Sequence, residues 1–314
     1  MTSVVTFKKS PEQIEKIRQQ VRAIQEAEGL SQNQIAKEVG IHNSTFSKFM
    51  NGNGLADMNP VVNATERWLE NRTRLAALPT APSFIATPTA NRIYDALSYA
   101  QLAGDMALIF GGAGVGKTQT LHHYAASEHN AWVVDCTPTS ATVGGCLRAI
   151  AHALGLRMTA GRADALEVQI RDQLRGSGGL LILDEAQFLN NRALETVRRL
   201  AEMANVGLAL VGNETVYAQL TGGSRAAEFA QLFSRIGKRV SLTKPSGGDV
   251  ESLATAWKVD KASTRLLKEI ADKPGALRGV TKALRLASMF ARGADETLSD
   301  HHIKAAWAEL GAMS

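Results

Sequence analysis

The stretch MALIFGGAGVGKT, residues 106–118, decides the fold of this chain. An apolar run, 106–110, leads into a glycine-rich loop of the pattern G-x-x-x-x-G-K-[ST], and a helical stretch, 119–126, follows. In this order of strand, loop and helix, the backbone N–H groups of the loop turn inward, and the helix N-terminus adds partial positive charge. The segment therefore predicts a phosphate-binding loop.

Such a loop would hold the phosphates of a nucleotide. Lys117 would reach the β and γ phosphates, and the Thr118 hydroxyl would bind Mg²⁺. The expected cofactors are therefore a nucleotide and Mg²⁺. The residues that we expect to bind the nucleotide are consecutive: Gly111, Gly112, Ala113, Gly114, Val115, Gly116, Lys117, Thr118 and Gln119.

Further apolar runs follow this loop, at 131–135, 179–184 and 207–212. They lack polar alternation, which is typical of strands that are buried on both faces. The segments between them have helical periodicity: 144–154, 164–174 and 193–204. Alternating strands and helices predict an α/β fold with a parallel sheet that helices cover on both sides.

Polar residues follow two of these strands. In LLILDEAQ, 180–187, we expect Asp184 to hold Mg²⁺ through its water shell and Glu185 to polarise the attacking water as a general base. Asn213, after the next strand, could orient that water between the γ phosphate and Glu185. The pattern therefore predicts hydrolysis of the bound nucleotide.

Two stretches rich in proline and small polar residues, 78–89 and 243–249, divide the chain. The last segment again looks wholly helical. We predict four parts: a domain with a helix-turn-helix at 1–77, a linker at 78–89, a nucleotide-hydrolysing core at 90–245, and a helical domain at 246–314.

Residues 30–52 have the pattern of a helix-turn-helix, with Gly40 between two amphipathic halves. We expect Asn43 or Ser44 to cap the second helix. That helix is poor in arginine, the residue most used for specific guanine contacts, so sequence-tolerant DNA binding is favoured. The side chains expected at DNA are Asn43, Ser44, Thr45, Ser47 and Lys48.

The chain has 314 residues, with 35 Lys and Arg against 30 Asp and Glu, a net charge of +5. This charge is compatible with a polyanionic partner but does not establish one. Two cysteines cannot form a disulfide framework, and no apolar run approaches the roughly 20 residues that span a bilayer. We therefore expect a soluble cytoplasmic protein with no membrane partner.

Four histidines form two adjacent pairs in the sequence. No cysteine or acid completes a metal-binding spacing around either pair. We interpret all four as ordinary surface or core histidines: His122, His123, His301 and His302.

The order of the phosphate loop, the acidic strand and the strand that ends in Asn213 resembles the AAA+ ATPases. The resemblance implies that Arg235 projects into the site of a neighbouring subunit, with Arg225 as the rival for that role. It also implies that 90–245 is an ATPase core and that 246–314 is a helical lid from which Arg278 acts. Pro274 would lie in the first turn of a lid helix.

Nearly the whole chain is similar to the B transposition protein family of phage Mu. The resemblance rests on the helix-turn-helix, the linker and the motifs GGAGVGKT, DEAQFL, VGNETVYAQLTGGSRAAEFAQLFSRIGKR and KPGALRGVTKALRLA. It implies an ATP- and Mg²⁺-dependent ATPase that binds double-stranded DNA with little sequence preference and assembles into helical filaments. It further implies that the filament captures target DNA and activates a cognate transposase, in the host cytoplasm if a phage encodes the protein.

The resemblance assigns no DNA contacts, and two basic stretches, 229–248 and 265–292, supply candidates. These are Lys238, Arg239, Lys282 and Arg285. A charge run is more often a solvated face, and that interpretation stays open. Two other functions also stay open: an ATP-gated helix-turn-helix transcriptional regulator, and a replication initiator or helicase loader.

Overall fold

The structure is a computed structural model that describes residues 9–52, 58–76, 84–157, 163–221 and 234–311. The chain divides into two compact units, Met1–Thr80 and Ala81–Ser314. The division falls within the segment that the sequence predicts as a linker. Within the described ranges, no helix is long and apolar enough to cross a membrane.

The first unit is a small helical domain. Ser10 and Ser31 begin its first two helices, each in a capping box with the glutamine three residues later. Ile35, Phe46 and Phe49 are fully buried in its core, as the amphipathic pattern predicts. Its helices are α1 (Pro11–Glu28), α2 (Gln32–Val39), α3 (Asn43–Asn51) and α4 (Asn59–Ala76).

The turn between α2 and α3 confirms one expectation and corrects another. Gly40 ends α2 with φ 80°, in the left-handed region that glycine adopts readily. The expected cap of α3 is wrong: Asn43 and Ser44 already lie inside the helix. The capping residue is His42, whose Nδ1 accepts from the Ser44 backbone N at 3.4 Å.

The second unit contains a five-stranded parallel sheet, with strand order β2-β3-β4-β1-β5. This confirms the predicted α/β class. Its strands are β1 (Met106–Gly111), β2 (Ala131–Asp135), β3 (Leu180–Asp184), β4 (Gly207–Gly212) and β5 (Ile236–Leu242). The helices around the sheet are α5 (Pro88–Ala103), α6 (Lys117–Ser127), α7 (Val143–Ala153), α8 (Ala163–Leu174), α9 (Asn191–Ala204) and α10 (Glu214–Thr221).

The sheet is buried on both faces, which explains its unbroken apolar runs. Leu108 packs with residues of α7, α8 and α9 on one face. Its neighbour Ile109 packs with residues of α5 and α6 on the other. Because successive side chains of a strand point to opposite faces, one apolar run supplies both cores.

The chain ends in four helices with a core of their own, which includes Leu267, Val280 and Ile303. They are α11 (Gly247–Ala256), α12 (Lys261–Ala271), α13 (Ala276–Gly293) and α14 (Asp300–Glu309). Pro274 is not in the first turn of a helix, contrary to expectation. It lies in the turn before α13, which Gly275 caps with φ 102°.

A buried carboxylate fastens this helical domain to the sheet domain. Asp249 of α11 is 0% exposed and accepts from Thr89 N at 2.7 Å, Thr89 Oγ1 at 2.6 Å and Ser246 N at 2.7 Å. Helix α5 begins at Pro88, so the last two residues of the predicted linker are helical. Thr89 is thereby positioned to donate twice to one carboxylate.

We expect Asp249→Asn to lower the free energy of unfolding by about 2–3 kcal/mol, since an amide N–H₂ would face donors inside the protein. Burial opposes ionisation of Asp249, but the hydrogen bonds from Thr89 and Ser246 outweigh it and lower the pKa. Because the pKa of Asp249 is lower in the folded protein than its unfolded value of about 3.9, its ionised carboxylate stabilises the fold above that pH. This stabilisation is lost as the pH falls through the pKa of the folded state. Urea unfolding between pH 3 and pH 7 measures both effects.

The exposed Asp272, changed to Asn, is the matched control. It should unfold as the wild type does, with the same loss of stability in acid. An Asp249→Asn protein as stable as this control at pH 7 would show that the three hydrogen bonds contribute little.

Candidate nucleotide site

The phosphate loop is shaped by two close approaches of the backbone. A Cβ on Gly111, which has φ 147°, would lie 2.1 Å from the Leu242 carbonyl oxygen. A Cβ on Gly114, with φ 80°, would lie 2.1 Å from the Gly275 carbonyl oxygen. Glycine is therefore required at both positions. The second approach places the turn before α13 directly against the loop.

Lys117 begins α6 and bends back over the loop. Its Nζ donates to the carbonyl oxygens of Gly111 at 2.9 Å and Gly112 at 2.8 Å. Burial lowers the pKa of Lys117, while the nearby Glu185 and Asp184 carboxylates oppose that shift. A phosphate in the loop would therefore meet a partly desolvated cation, which strengthens their attraction.

Thr118 and Asp184 come together where β3 ends beside α6. Thr118 Oγ1 donates to Asp184 Oδ2 at 2.7 Å, and Asp184 is 2% exposed. Burial raises the pKa of Asp184, and the hydrogen bonds from Thr118 and the Glu185 backbone partly offset the shift. A hydroxyl and a buried carboxylate are hard oxygen donors, so these residues fit Mg²⁺, whose charge would favour the ionised Asp184.

Glu185 is exposed and has a left-handed backbone, with φ 54° and ψ 38°. This conformation costs an L-residue about 1–2 kcal/mol. The Glu185 backbone N donates to Asp184 Oδ1 at 2.9 Å, which fastens the turn. The two adjacent carboxylates therefore lie in different surroundings, one buried and one open to solvent.

Gln187 is a site residue that the sequence analysis missed. Its Nε2 donates to Glu185 Oε2, and its Oε1 accepts from the Asn213 backbone N at 3.3 Å. Its own backbone oxygen accepts from Gln219 Nε2 at 3.2 Å. The side chain thus joins the predicted base to the end of β4. An uncharged residue within DEAQ carried no signal for this role.

Asn213 is exposed, and its Oδ1 accepts from Thr215 N at 2.8 Å, at the start of α10. Its side-chain oxygen is therefore used in a turn. Through Gln187, its backbone is connected to Glu185. Orientation of the attacking water by Asn213 stays a prediction.

We expect Gly212→Ala to lower the turnover number for ATP by about tenfold to a hundredfold, with ATP affinity little changed. A Cβ at Gly212 would lie 2.3 Å from Gln187 Oε1 and 3.3 Å from Val216 Cγ1. Gln187 would have to move, and the Glu185 carboxylate would lose its partner. Steady-state ATPase kinetics measure the effect.

Gly293→Ala is the matched control, since a Cβ there has nothing within 4 Å. Its turnover number should equal that of the wild type. If Gly212→Ala matched this control, Gln187 would have no part in positioning Glu185.

The nucleotide site opens into a cavity of about 520 Å³ whose lining is part polar and part apolar. Its polar lining includes Lys117, Thr118 and Glu185. Its apolar lining includes Ile85, Leu253, Trp257 and Leu277. Phe84 also lines the cavity and stacks on His123, with ring centroids 3.8 Å apart and planes 9° apart. Phe84 and Ile85 belong to the segment predicted as a linker, and its composition gave no sign that they line this cavity.

Three cations of α13 line this cavity: Arg278, Lys282 and Arg285. Their spacing of four and three residues puts them on one face of the helix. Arg278 lies close enough to act electrostatically on Lys117. For Lys282 and Arg285, this position favours a role toward the nucleotide over the predicted contact with DNA.

Arg235 lies at the opposite end of the strands from the phosphate loop. It precedes β5, whose Ile236 pairs with Met106 at the start of β1, while the phosphate loop follows the end of β1. A six-residue strand spans roughly 20 Å, so Arg235 is far from the site in its own subunit. Its side chain is 65% exposed, and Nη1 lies 3.5 Å from Glu202 Oε1. The rival Arg225 lies outside the described residues.

Lys238 and Arg239 lie on β5, the strand at one edge of the sheet. Lys238 Nζ donates to the Asp95 backbone oxygen at 3.1 Å and lies 5.8 Å from the centroid of the Tyr99 ring. Its ammonium group is thus held against α5. Contact of these two residues with DNA stays a prediction.

Helix α3 presents its polar side chains outward. Phe46, Phe49 and Met50 face the core of the first unit. The residues predicted to contact DNA are exposed or half-buried: Asn43, Ser44, Thr45, Ser47 and Lys48. Their position leaves the hypothesis of DNA contact open.

The phosphate loop after β1, the buried acid at the end of β3, one strand removed in the parallel sheet, and the helical domain over the loop define a P-loop ATPase of the AAA+ class. A family model described as AAA domain matches residues 102–220. A second, described as Mu B transposition protein, C terminal, matches residues 234–310. The chain belongs to the Mu B transposition protein family, as two curated relatives also show.

The first relative is the ATP-dependent target DNA activator B of Escherichia phage Mu. It is 39% identical over 298 residues, which cover 95% of this chain and 96% of the relative. The second is the Mu-like prophage FluMu DNA transposition protein B of Haemophilus influenzae. It is 34% identical over 257 residues, 81% of this chain and 90% of the relative. The chain is thus an ATP-binding AAA+ ATPase related to DNA transposition, as the sequence motifs predicted.

Proposed function

We propose that this protein is an ATP-dependent activator of target DNA for transposition. ATP binding orders an oligomer on double-stranded DNA, the oligomer presents the DNA to a cognate transposase, and hydrolysis loosens it. The printed names of the relatives support this proposal. The observation that carries it is the contact of the lid turn at Gly275 with the phosphate loop at Gly114, because one nucleotide would touch both domains at once.

The hydrolytic step is assigned to residues of the phosphate loop and to residues at and just after the end of β3. Lys117 binds the β and γ phosphates, and Thr118 with Asp184 would hold Mg²⁺, which neutralises part of the triphosphate charge when bound. Glu185 accepts a proton from the attacking water. Gln187 holds the Glu185 carboxylate at the end of β4.

The lid takes part through α13. Arg278, Lys282 and Arg285 face the same cavity as the phosphate loop, so bound triphosphate would draw their helix toward the loop. In the apolar part of the lining, the flat rings of Phe84 and Trp257 suit a nucleobase. A nucleotide would therefore favour one arrangement of the lid over the others.

Binding to DNA is assigned to the assembled oligomer. A net charge of +5 over 314 residues is too small for one protomer to bind tightly through phosphates alone. Many protomers aligned on one duplex add their weak contacts, and the released counterions make the affinity fall steeply with salt. The polar, arginine-poor surface of α3 is consistent with little sequence preference.

The test is DNA binding by the full chain with and without a non-hydrolysable ATP analogue, on several unrelated duplexes. We expect binding only with the analogue, similar affinity for each duplex and a steep dependence on salt. Lys117→Ala should abolish the nucleotide-dependent binding, because the phosphates lose their cation. The exposed Lys261, changed to Ala, is the matched control and should bind like the wild type.

Binding to one unique site without nucleotide would contradict this function and would support an ATP-gated transcriptional regulator. Stimulation of strand transfer by a cognate transposase separates the proposed function from that of a replication initiator or helicase loader, which should give none. Both measurements use the same protein preparation.

A further inference from the structure

A cluster of three side chains lies at the turn between α13 and α14: Glu296, His301 and His302. We propose that this cluster is a Zn²⁺ site in the helical domain. Each residue offers one ligand atom, and the three atoms lie within 4.8 Å of one another. The sequence shows no acid at a metal-binding spacing from this histidine pair, but the fold brings Glu296 next to it.

His302 provides a second, independent observation. It is 2% exposed, and its Nδ1 lies 2.8 Å from Ser299 Oγ. Its Nε2 is buried and makes no hydrogen bond within the described part of the chain. Nε2 lies 3.2 Å from Glu296 Oε2, which is within hydrogen-bond distance, but the angle at the nitrogen does not allow a hydrogen bond.

This arrangement leaves a buried ring nitrogen beside a carboxylate oxygen. A buried polar atom without a hydrogen bond costs about 1–3 kcal/mol of desolvation. If Nδ1–H donates to Ser299 Oγ, the lone pair of Nε2 faces Glu296, and two electron-rich atoms are close together. A cation bound between them resolves the unfavourable contact. A histidine that ligates zinc commonly donates its other ring N–H to an oxygen, as His302 can to Ser299.

The turn that carries Glu296 is held by the backbone. Asp295 has a left-handed φ of 56°, and the Glu296 backbone N donates to the Ala291 carbonyl oxygen at 2.8 Å. This returns the chain over the end of α13, next to the start of α14. The rings of His301 and His302 lie with centroids 4.4 Å apart. The ligands therefore lie at a turn whose backbone is held by a hydrogen bond.

The donor set selects the ion. Two imidazole nitrogens and one carboxylate oxygen suit Zn²⁺, whereas Mg²⁺ prefers oxygen ligands. Tetrahedral Zn²⁺ with bonds of about 2.1 Å places its ligand atoms about 3.4 Å apart, close to the separation between Glu296 and His302. The exposed His301 can complete the site by a change of rotamer, with water as the fourth ligand.

This site is distinct from the nucleotide site. Arg278, which lines the nucleotide cavity, and Gly293 are 15 residues apart on α13, roughly 22 Å at 1.5 Å per residue. Bound Zn²⁺ would fasten the turn between α13 and α14 and so stabilise the lid. Its binding does not depend on the proposed function of the protein.

The experiment is titration of the metal-depleted full chain with Co²⁺, followed by its visible absorption bands, and then displacement by Zn²⁺. Excess Mg²⁺ is present to saturate the nucleotide site. We expect one tightly bound equivalent and a higher melting temperature with Zn²⁺. Glu296→Gln, His301→Ala and Ser299→Ala should each weaken binding by about tenfold or more.

His122→Ala, an exposed histidine of α6, is the matched control and should bind like the wild type. Glu296 and His301 are exposed, so their substitutions should leave the fold intact, which circular dichroism checks. Equal Zn²⁺ affinity in wild type, Glu296→Gln and His301→Ala would overturn the proposal, as would failure of the wild type to saturate. Either result would leave His302 and Glu296 as an ordinary ion pair.

Discussion

Replacing Arg235 by alanine is expected to lower ATP hydrolysis by the assembled protein by about three orders of magnitude. Arg235 lies at the end of the strands opposite to the phosphate loop, and its side chain is 65% exposed. It therefore serves no nucleotide in its own subunit. An exposed guanidinium at that end can reach the site of a neighbouring copy and stabilise the charge that develops in phosphoryl transfer.

Mixing experiments measure whether Arg235 acts across an interface. A subunit with Glu185→Gln should bind ATP and join the oligomer but hydrolyse slowly, and it keeps Arg235, so it should restore hydrolysis to an Arg235→Ala subunit. Arg265→Ala, an arginine 87% exposed on α12, is the matched control and should hydrolyse ATP normally. Failure of the rescue would leave Arg235 as a surface partner of Glu202 and direct attention to Arg225.

The second large effect is expected for Glu185→Gln. The turnover number should fall by about 10²- to 10⁴-fold, because an amide cannot accept the proton of the attacking water. ATP affinity and ATP-dependent DNA binding should persist, since Lys117, Thr118 and Asp184 are unchanged. Single-turnover hydrolysis and equilibrium binding of ATP, measured on one preparation, separate the two properties.

Glu214→Gln is the matched control, since Glu214 is exposed and follows Asn213 directly. It should hydrolyse ATP at the wild-type rate. Normal turnover in Glu185→Gln would remove Glu185 from the role of base. The hydrogen bond from Gln187 would then be a purely structural contact.

The parts of the fold that could be predicted from the sequence are those that local physics determines. Strands buried on both faces need continuous apolar runs, and β3 and β4 lie within a residue of the predicted bounds. The phosphate loop could be predicted because its glycines, Lys117 and Thr118 all lie within 111–118. Their spacing along the chain is therefore the same however the surrounding helices and strands pack. Gly40 was predictable for the same reason, as a turn within one short motif.

The errors arose where a neighbouring residue competed for the same role. His42, one residue earlier, caps α3 in place of Asn43 or Ser44, because its ring nitrogen accepts from the backbone N–H of Ser44. Gly275 caps α13, and Pro274 lies before it in the turn, since the positive φ of Gly275 permits the tight approach to Gly114. Propensity alone cannot separate adjacent positions that differ by a fraction of a kcal/mol.

The sequence by itself determined the chemistry of this protein: a P-loop, an acidic pair on a buried strand, a helix-turn-helix and membership of a transposition family. The tertiary structure alone decided which distant side chains meet. Gln187 joins Glu185 to β4, Phe84 enters the nucleotide cavity, and Glu296 meets His302. Motifs record residues that are neighbours along the chain, whereas these contacts depend on how whole helices and strands pack, which no local pattern encodes.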